Sequence, residues 1–284
     1  MLYTINVKRE VNDDLLTSGE KLSILYHNIF DYPLSFSELI KWKSSDAIDF
    51  GQNDANIVSK NGFYFLEGKD GLIYKRALRK RISSKKIALA KRAAKILSLI
   101  PTIKMLAVTG SLAMQSAEER SDIDLMVVTN KGSLWTTRAL IYFLIFVTGI
   151  KFRRAGKGGE ANKLCLNIWL DESELNWPQK DRNIYTAHEI AQVEPLINRD
   201  HTYEKFVNIN KWAAKYWPNA IKTNTKYSQV DNDNKKSFQI VEKLAFKLQY
   251  GYMKGKITRE VVTPAKAIFH PNNWGKIVLS RLSS

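Results

Sequence analysis

Cysteine and histidine are scarce in this chain of 284 residues, which contains one cysteine, Cys165, and four histidines. A single cysteine excludes an internal disulfide framework and a zinc site built from several cysteines. The first residues also lack the apolar core and small-residue cleavage pattern of a secretory signal peptide. These absences indicate a reducing compartment, and we expect the protein to be cytoplasmic.

Long apolar runs are missing as well. The one stretch that raises the question of a membrane, residues 139–150, lies between Arg138 and Lys151. A membrane-spanning helix needs about 20 apolar residues, and this stretch is much shorter. We therefore expect no membrane partner and interpret residues 139–150 as a helix buried against a sheet.

Acidic residues are outnumbered by basic ones, 28 to 44, which gives a formal net charge of +16. Residues 76–95 contain no acidic residue, and as a helix they would turn an apolar stripe inward and their cations outward. Such a surface favours a polyanion such as RNA or DNA, although it also fits a solvated helix face. The predicted phosphate or nucleic-acid contacts are Arg76, Arg79, Lys80, Arg81, Lys85, Lys86, Arg153 and Arg154.

A Gly-Ser turn followed by two aspartates is the strongest pattern in the chain. An apolar strand over residues 104–109 ends at Gly110-Ser111, and a helix is predicted over residues 112–118. The glycine lets a phosphate approach the backbone, and the serine can donate its hydroxyl. Asp122 and Asp124 would project from one side of the next strand, about 7 Å apart. Two carboxylates so placed suit Mg²⁺ with a substrate phosphate, which implies a nucleotide.

The order Gly110-Ser111, ten residues, Asp122-Ile123-Asp124 resembles the signature of the DNA polymerase beta-like nucleotidyltransferase superfamily. The resemblance covers roughly residues 100–200. It implies that Asp122 and Asp124 hold Mg²⁺ or Mn²⁺, that the turn contacts the NTP triphosphate, and that a third carboxylate stands on a later strand. We assign Gly110, Ser111 and Ser121 to nucleotide binding, and Asp122, Asp124 and Asn167 to catalysis.

The third carboxylate is the main departure from that signature. The next predicted strand, residues 163–170, has no acidic residue, and its alternation places Cys165, Asn167, Trp169 and Asp171 on one face. Asn167 then occupies the expected acidic position and cannot act as a base. Asp171 and Glu160 are possible substitutes.

Because of this departure, two functional hypotheses remain open. The first is an active enzyme that transfers a nucleoside monophosphate from an NTP to an acceptor hydroxyl on a nucleic-acid end, a protein or a small molecule. The second is a catalytically impaired regulatory protein that senses nucleotide or binds nucleic acid. General acid–base help is worth about 10² to 10⁴ in rate, so its loss slows a transferase without abolishing it.

The N-terminal part has the pattern of a separate small module. Helices are predicted over residues 20–30 and from Ser35, a third helix over residues 45–60, and a hairpin with strands at 63–66 and 72–74. This order resembles a winged helix-turn-helix. Acidic residues in the segment 45–60 disfavour sequence-specific DNA binding. We therefore interpret the module mainly as a site for a protein partner or for substrate positioning.

These patterns together predict a mixed α+β or α/β protein. The predicted parts are a winged-helix-like module over residues 1–75, a nucleotidyltransferase domain with a small mixed sheet over 76–200, and a helical C-terminal region over 201–284. Within them we expect a helix over residues 182–196 and another over 238–253.

Overall fold

Two β-sheets organise the chain in the computed structural model. The structure describes residues 16–48, 56–153, 161–223, 239–255, 257–258, 260–269 and 274–283. One sheet has three strands and the other has six, with helices packed around them. The predicted mixed α/β class is therefore confirmed. Among the described residues, no helix is long and apolar enough to cross a membrane.

The three-stranded sheet belongs to the N-terminal part. Its elements are α1 (Ser18–Asn28), β1 (Leu34–Ser35), α2 (Phe36–Lys41), β2 (Ile57–Lys60) and β3 (Phe63–Leu66), with the strand order β1-β3-β2. Thr17 and Glu20 form a capping box at the start of α1, and Ser35 and Glu38 form another at α2.

The hairpin differs from the predicted one. Strands β2 and β3 pair around Asn61 and Gly62, which both have positive φ, as a tight two-residue turn requires. Residues 72–74, predicted as a strand, lie in the helix that follows instead. The predicted helix over 45–60 is wrong where the structure describes it, because residues 45–48 are not helical and residues 57–60 form β2. Residues 49–55 lie outside the described part.

The remaining elements build the larger sheet and its covering helices. They are α3 (Gly71–Leu97), β4 (Ile103–Val108), α4 (Gly110–Ala113), β5 (Ile123–Thr129), α5 (Leu134–Thr148), β6 (Leu164–Asp171), α6 (Ile184–Ala191), β7 (Glu194–Asn198), α7 (Thr202–Ile209), α8 (Gln239–Lys254), β8 (Val261–Val262), β9 (Lys266–Ile268) and α9 (Trp274–Leu282).

The six-stranded sheet has the order β7-β4-β5-β6-β9-β8. Among the described strands of this sheet, β5 and β6 are the only parallel pair, with α5 between them in sequence, so the sheet is mixed as predicted. Two predictions are wrong here. The helix expected over residues 182–196 ends at Ala191, and Glu194–Asn198 forms edge strand β7, where Pro195 is tolerated. The C-terminal region is not purely helical, because β8 and β9 extend this sheet.

Each face of the sheet packs against different elements. Ile123, Leu125 and Val127 point to the face covered by α3 and α5. Met126 and Val128 point to the other face, where α6, α7 and α9 share a core with the N-terminal helices. Asp122 and Asp124 have the same alternation as Met126, so they lie on the α6 side at the start of β5.

A β-bulge in β6 decides what lies beside the aspartates. The pairing with β5 shifts between Leu125–Leu166 and Met126–Ile168. As a result Trp169 packs on the α3 side with Leu166, and Ile168 joins the core on the α6 side. The predicted simple alternation is wrong beyond Asn167.

Candidate functional site

The Gly-Ser turn and the acidic pair meet at one end of the sheet. Gly110 follows β4 with φ +60°, and a Cβ atom at this position would lie 3.1 Å from Asp124 Oδ2. The backbone N–H of Thr109 donates to the carbonyl of Asp124 at 3.1 Å. The turn is therefore packed directly against the second aspartate, and only a residue without a side chain fits there comfortably.

The turn itself is tighter than the sequence predicts. Helix α4 has only four residues, whereas the prediction extended it to residue 118, so the Gly-Ser turn does not begin a long helix. Ser111 is exposed at the turn. Ser121, predicted to bind nucleotide, instead donates its hydroxyl to the carbonyl of Glu118 at 2.8 Å and closes the turn before Asp122.

Strand β6 places an amide beside the acidic pair. Asn167 donates its Nδ2 hydrogen to Asp124 Oδ1 at 2.8 Å. The residue is only 5% exposed, and its Oδ1 atom has no hydrogen-bond partner among the described residues. A buried carbonyl oxygen without a partner is costly, so this atom needs a ligand to satisfy it.

Cys165 completes a compact cluster with the two aspartates. Ligand atoms of Asp122, Asp124 and Cys165 all lie within 4.8 Å of one another, which makes them a possible metal-binding group. Burial raises the pKa of the Cys165 thiol, and the neighbouring carboxylates raise it further. The thiol thus stays protonated at neutral pH, and the strong donors in the cluster are oxygen atoms.

A guanidinium group balances the first aspartate. Arg153 Nη1 donates to Asp122 Oδ2 at 2.9 Å and lies 3.8 Å from Cys165 Sγ. The Asp122 side chain is 12% exposed and that of Arg153 is 38% exposed. Arg153, predicted to contact phosphate, therefore lies at the site and binds a carboxylate there. Arg154 and Glu160 lie outside the described residues.

Helix α6 brings an acid that sequence reasoning missed. Glu189 is partly buried, and its pKa is raised to about 8 by burial and then by the charge of Asp124. Gln192 Nε2 donates to Glu189 Oε1 at 2.6 Å. One turn earlier, burial and the charges of Glu189 and Asp124 raise the pKa of Tyr185. The available signal was this pair of titratable side chains, four residues apart on one helix.

Asp171, considered as a substitute acid, does not reach the site. It pairs in register with Thr129 at the far end of β5, five residues beyond Asp124. Its Oδ2 accepts from the N–H of Gly132 at 3.0 Å, and its Oδ1 accepts from the N–H of Ser173 at 2.8 Å. Asp171 therefore caps local turns.

Three of the cations predicted to face phosphate are used inside the protein. Arg76 pairs with Glu38 at 2.6 Å, and Arg79 pairs with Glu118 at 2.5 Å. Lys86 is buried as well. Each of them satisfies groups on a neighbouring segment, so a phosphate contact by these three side chains stays a prediction. Other predicted contacts on α3 are exposed, namely Lys80, Arg81 and Lys85.

Lys86 has a specific structural task next to the site. Its Nζ donates to the carbonyls of Glu119 and Ser121 at 3.2 and 2.7 Å, and to Asn162 Oδ1 at 3.0 Å. Burial lowers the pKa of this lysine, while the charge of Asp122 raises it. Lys86 therefore fixes the turn that delivers Asp122 to the start of β5.

No known family model matches this chain, and no curated protein matches it significantly. The class of protein is therefore defined by fold and site alone. It is a mixed α/β protein with a carboxylate-rich, candidate metal-binding cluster at one end of its larger sheet.

Proposed function

We propose that the protein is a Mg²⁺- or Mn²⁺-dependent nucleotidyltransferase, which moves a nucleoside monophosphate from an NTP to an acceptor hydroxyl. The observation that carries this proposal is the packing of Asp124 against Gly110, with Asp122 in the same cluster and a buried Asn167 oxygen that has no partner among the described residues. The resemblance to the polymerase beta-like signature supports the same reaction.

The donor set fits a hard divalent cation. Asp122, Asp124 and Asn167 Oδ1 would hold it, since carboxylate and amide oxygens suit Mg²⁺ and Mn²⁺. The protonated thiol of Cys165 is a poor ligand for such an ion. When bound, the cation supplies charge compensation for the triphosphate.

The other side chains have roles that follow from their positions. Gly110 allows a phosphate close to the backbone, and Ser111 can donate a hydrogen bond to it. Arg153 compensates the charge of Asp122, and a guanidinium group binds phosphate as readily as carboxylate. We assign Arg153 to the triphosphate once a cation compensates Asp122.

Glu189 takes the role of the third acid that β6 lacks. It lies on α6, on the same side of the sheet as Asp124, and the two carboxyl groups interact electrostatically. A carboxyl group whose pKa lies near the working pH is suited to accept the proton of an attacking hydroxyl. Asn167 then acts as an oxygen ligand, and Glu189 acts as the base.

The acceptor we favour is polyanionic, with an RNA or DNA end as the first choice. Lys80, Arg81 and Lys85 remain exposed on α3 after the internal ion pairs are removed from the predicted set. A row of cations binds a phosphate backbone without regard to sequence. A protein or small-molecule hydroxyl is the alternative acceptor.

One observation favours a second candidate function. Asn167 donates to Asp124, and β6 presents no acid to the cluster, which is the arrangement expected of a nucleotide sensor that has lost catalysis. In that case the protein binds NTP with a cation but transfers nothing.

A transfer assay separates the two candidates. The full-length protein is incubated with Mg²⁺ or Mn²⁺, each α-labelled NTP and total RNA, and transferred label is measured beside equilibrium NTP binding. We expect label on RNA, loss of both binding and label in Asp122→Asn, and little change in the exposed control Asp181→Asn. Binding without label for all four NTPs supports the sensor. Transfer and binding that both survive in Asp122→Asn overturn the site assignment.

The role of Glu189 has its own comparison. We expect Glu189→Gln to reduce transfer by about 10² to 10⁴ while NTP affinity stays within a few-fold. The matched control is Glu194→Gln, an exposed glutamate on β7. Equal rates for the two variants would remove Glu189 from the mechanism.

A further inference from the structure

The outer face of α5 and α8 is unusually apolar for an exposed surface. We call this surface the α5–α8 outer face. It consists of Leu140, Phe143 and Phe146 of α5, and Ile240, Leu244 and Leu248 of α8. Phe146 is 79% exposed and Ile240 is 83% exposed. The sequence predicted residues 139–150 as a helix buried against the sheet. Only one side of α5 is buried by the part of the chain that the structure describes, so a row of large apolar side chains is left exposed.

The two helices are fixed side by side, so their outer rows form one surface. The rings of Trp135 and Phe246 lie 5.2 Å apart, and Arg138 Nη1 donates to Gln249 Oε1 at 2.6 Å. Glu242 also accepts from the backbone N–H groups of Trp135 and Thr136 at the start of α5. These contacts use the inner side of α8 and leave its outer row to solvent.

The exposed charges on α5 and α8 beside this face are all positive. Lys243, Lys247 and Lys254 are exposed on α8 beside the apolar row. Across α5 and α8, both fully described, Glu242 is the only acidic residue, and it is buried as the cap of α5. An apolar row flanked by lysines, without exposed acids, is complementary to a surface that is both apolar and anionic.

A cavity at the end of α5 also combines apolar and positively charged side chains. It has a volume of about 380 Å³, and its apolar lining includes Phe146, Ile150 and Phe152. Lys151 and Lys163 also line it. An apolar lining that carries two ammonium groups suits an acyl chain below an anionic headgroup.

From these observations we propose, in departure from the expectation of no membrane partner, that the α5–α8 outer face docks on the surface of an anionic lipid bilayer. The helices lie in the interface plane, with the apolar row in the acyl boundary and the lysines at the headgroups. Helix α5 has 15 residues, which is consistent with lying on a bilayer. This proposal is independent of the proposed function, because it uses none of the residues of the acidic cluster.

Vesicle flotation tests the proposal with the full-length protein. Vesicles of phosphatidylcholine alone are compared with vesicles that contain 30% phosphatidylglycerol, at about 0.15 M salt. We expect flotation with the anionic vesicles only. The double variant Phe143→Ser/Phe146→Ser should lose at least about tenfold in binding, and Lys243→Glu/Lys247→Glu should lose more than tenfold.

Matched controls separate docking by this face from non-specific binding to vesicles. Tyr74→Ser changes an equally exposed aromatic on α3, and Lys180→Glu reverses an exposed lysine elsewhere, so both should float like the wild type. Circular dichroism melting confirms that each variant is folded. Absence of flotation overturns the proposal, and so does binding that the Phe143→Ser/Phe146→Ser variant retains. A dimer that dissociates in that variant, without vesicle binding, would assign the face to a second copy of the chain.

Discussion

Acidification from pH 7 to pH 4 is expected to destabilise this protein by about 3 kcal/mol through one buried histidine. His27 on α1 and His188 on α6 lie inside the core, and their Nε2 atoms are 3.1 Å apart. His27 Nδ1 lies 2.7 Å from the carbonyl of Ser23, so Nδ1 carries the proton and Nε2 accepts from His188. Both rings are therefore neutral in the folded state.

The size of the effect follows from the environment of His27. Burial lowers its pKa from 6.5 to about 4, against the raising effect of the Ser23 carbonyl. Trp42 stacks on His188 with ring centroids 4.0 Å apart, so water does not reach the pair. The folded state binds fewer protons than the unfolded chain below pH 6.5, and the difference between a pKa of 6.5 and one of about 4 corresponds to about 3 kcal/mol. Stability is thus retained above pH 6.5 and lost as the pH falls towards 4.

Urea unfolding from pH 7.5 to pH 4 measures this effect directly. The double variant His27→Phe/His188→Phe removes both titrating groups, so the difference between its pH profile and that of the wild type isolates the histidines from the carboxylates. His201→Asn, which changes an exposed histidine, should leave the profile unchanged. Parallel profiles for the wild type and the double variant would show that the buried histidines do not control acid stability.

Three further predictions concern the acidic cluster. Lys86→Met leaves the carbonyls of Glu119 and Ser121 without the Lys86 ammonium as a donor, so it should lower the free energy of unfolding by about 1 to 3 kcal/mol and weaken Mn²⁺ binding. Unchanged urea and calorimetric titrations would show that Lys86 does not hold the turn. Asn167→Asp should raise Mn²⁺ affinity by about tenfold. Without metal it should lower Tm, because it adds a second negative charge beside Asp124. Equal Mn²⁺ affinity in the wild type and the variant would exclude residue 167 as a ligand. Gly110→Ala should cost about 1 to 2 kcal/mol because its backbone has positive φ and the new Cβ would crowd Asp124 Oδ2; a wild-type Tm would contradict that geometry.

Local patterns were sufficient for much of the core of the fold. The apolar runs before Gly110 and after Asp122 became β4 and β5, and the most apolar stretch became α5. The spacing of the acidic pair also placed both aspartates on one side of β5. These features depend on side-chain alternation and turn chemistry within a few residues, which a sequence displays directly.

Tertiary contacts decided the rest. The bulge beyond Asn167 turns Trp169 to the opposite face, Arg153 reaches Asp122 from a separate segment, and the charge of Asp124 acts on Glu189 of α6. Arg76, Arg79 and Lys86 of α3 form internal ion pairs and hydrogen bonds, although their charge pattern predicted exposure to solvent. Such outcomes depend on which buried groups need partners after the chain has folded, and that need arises between segments far apart in sequence.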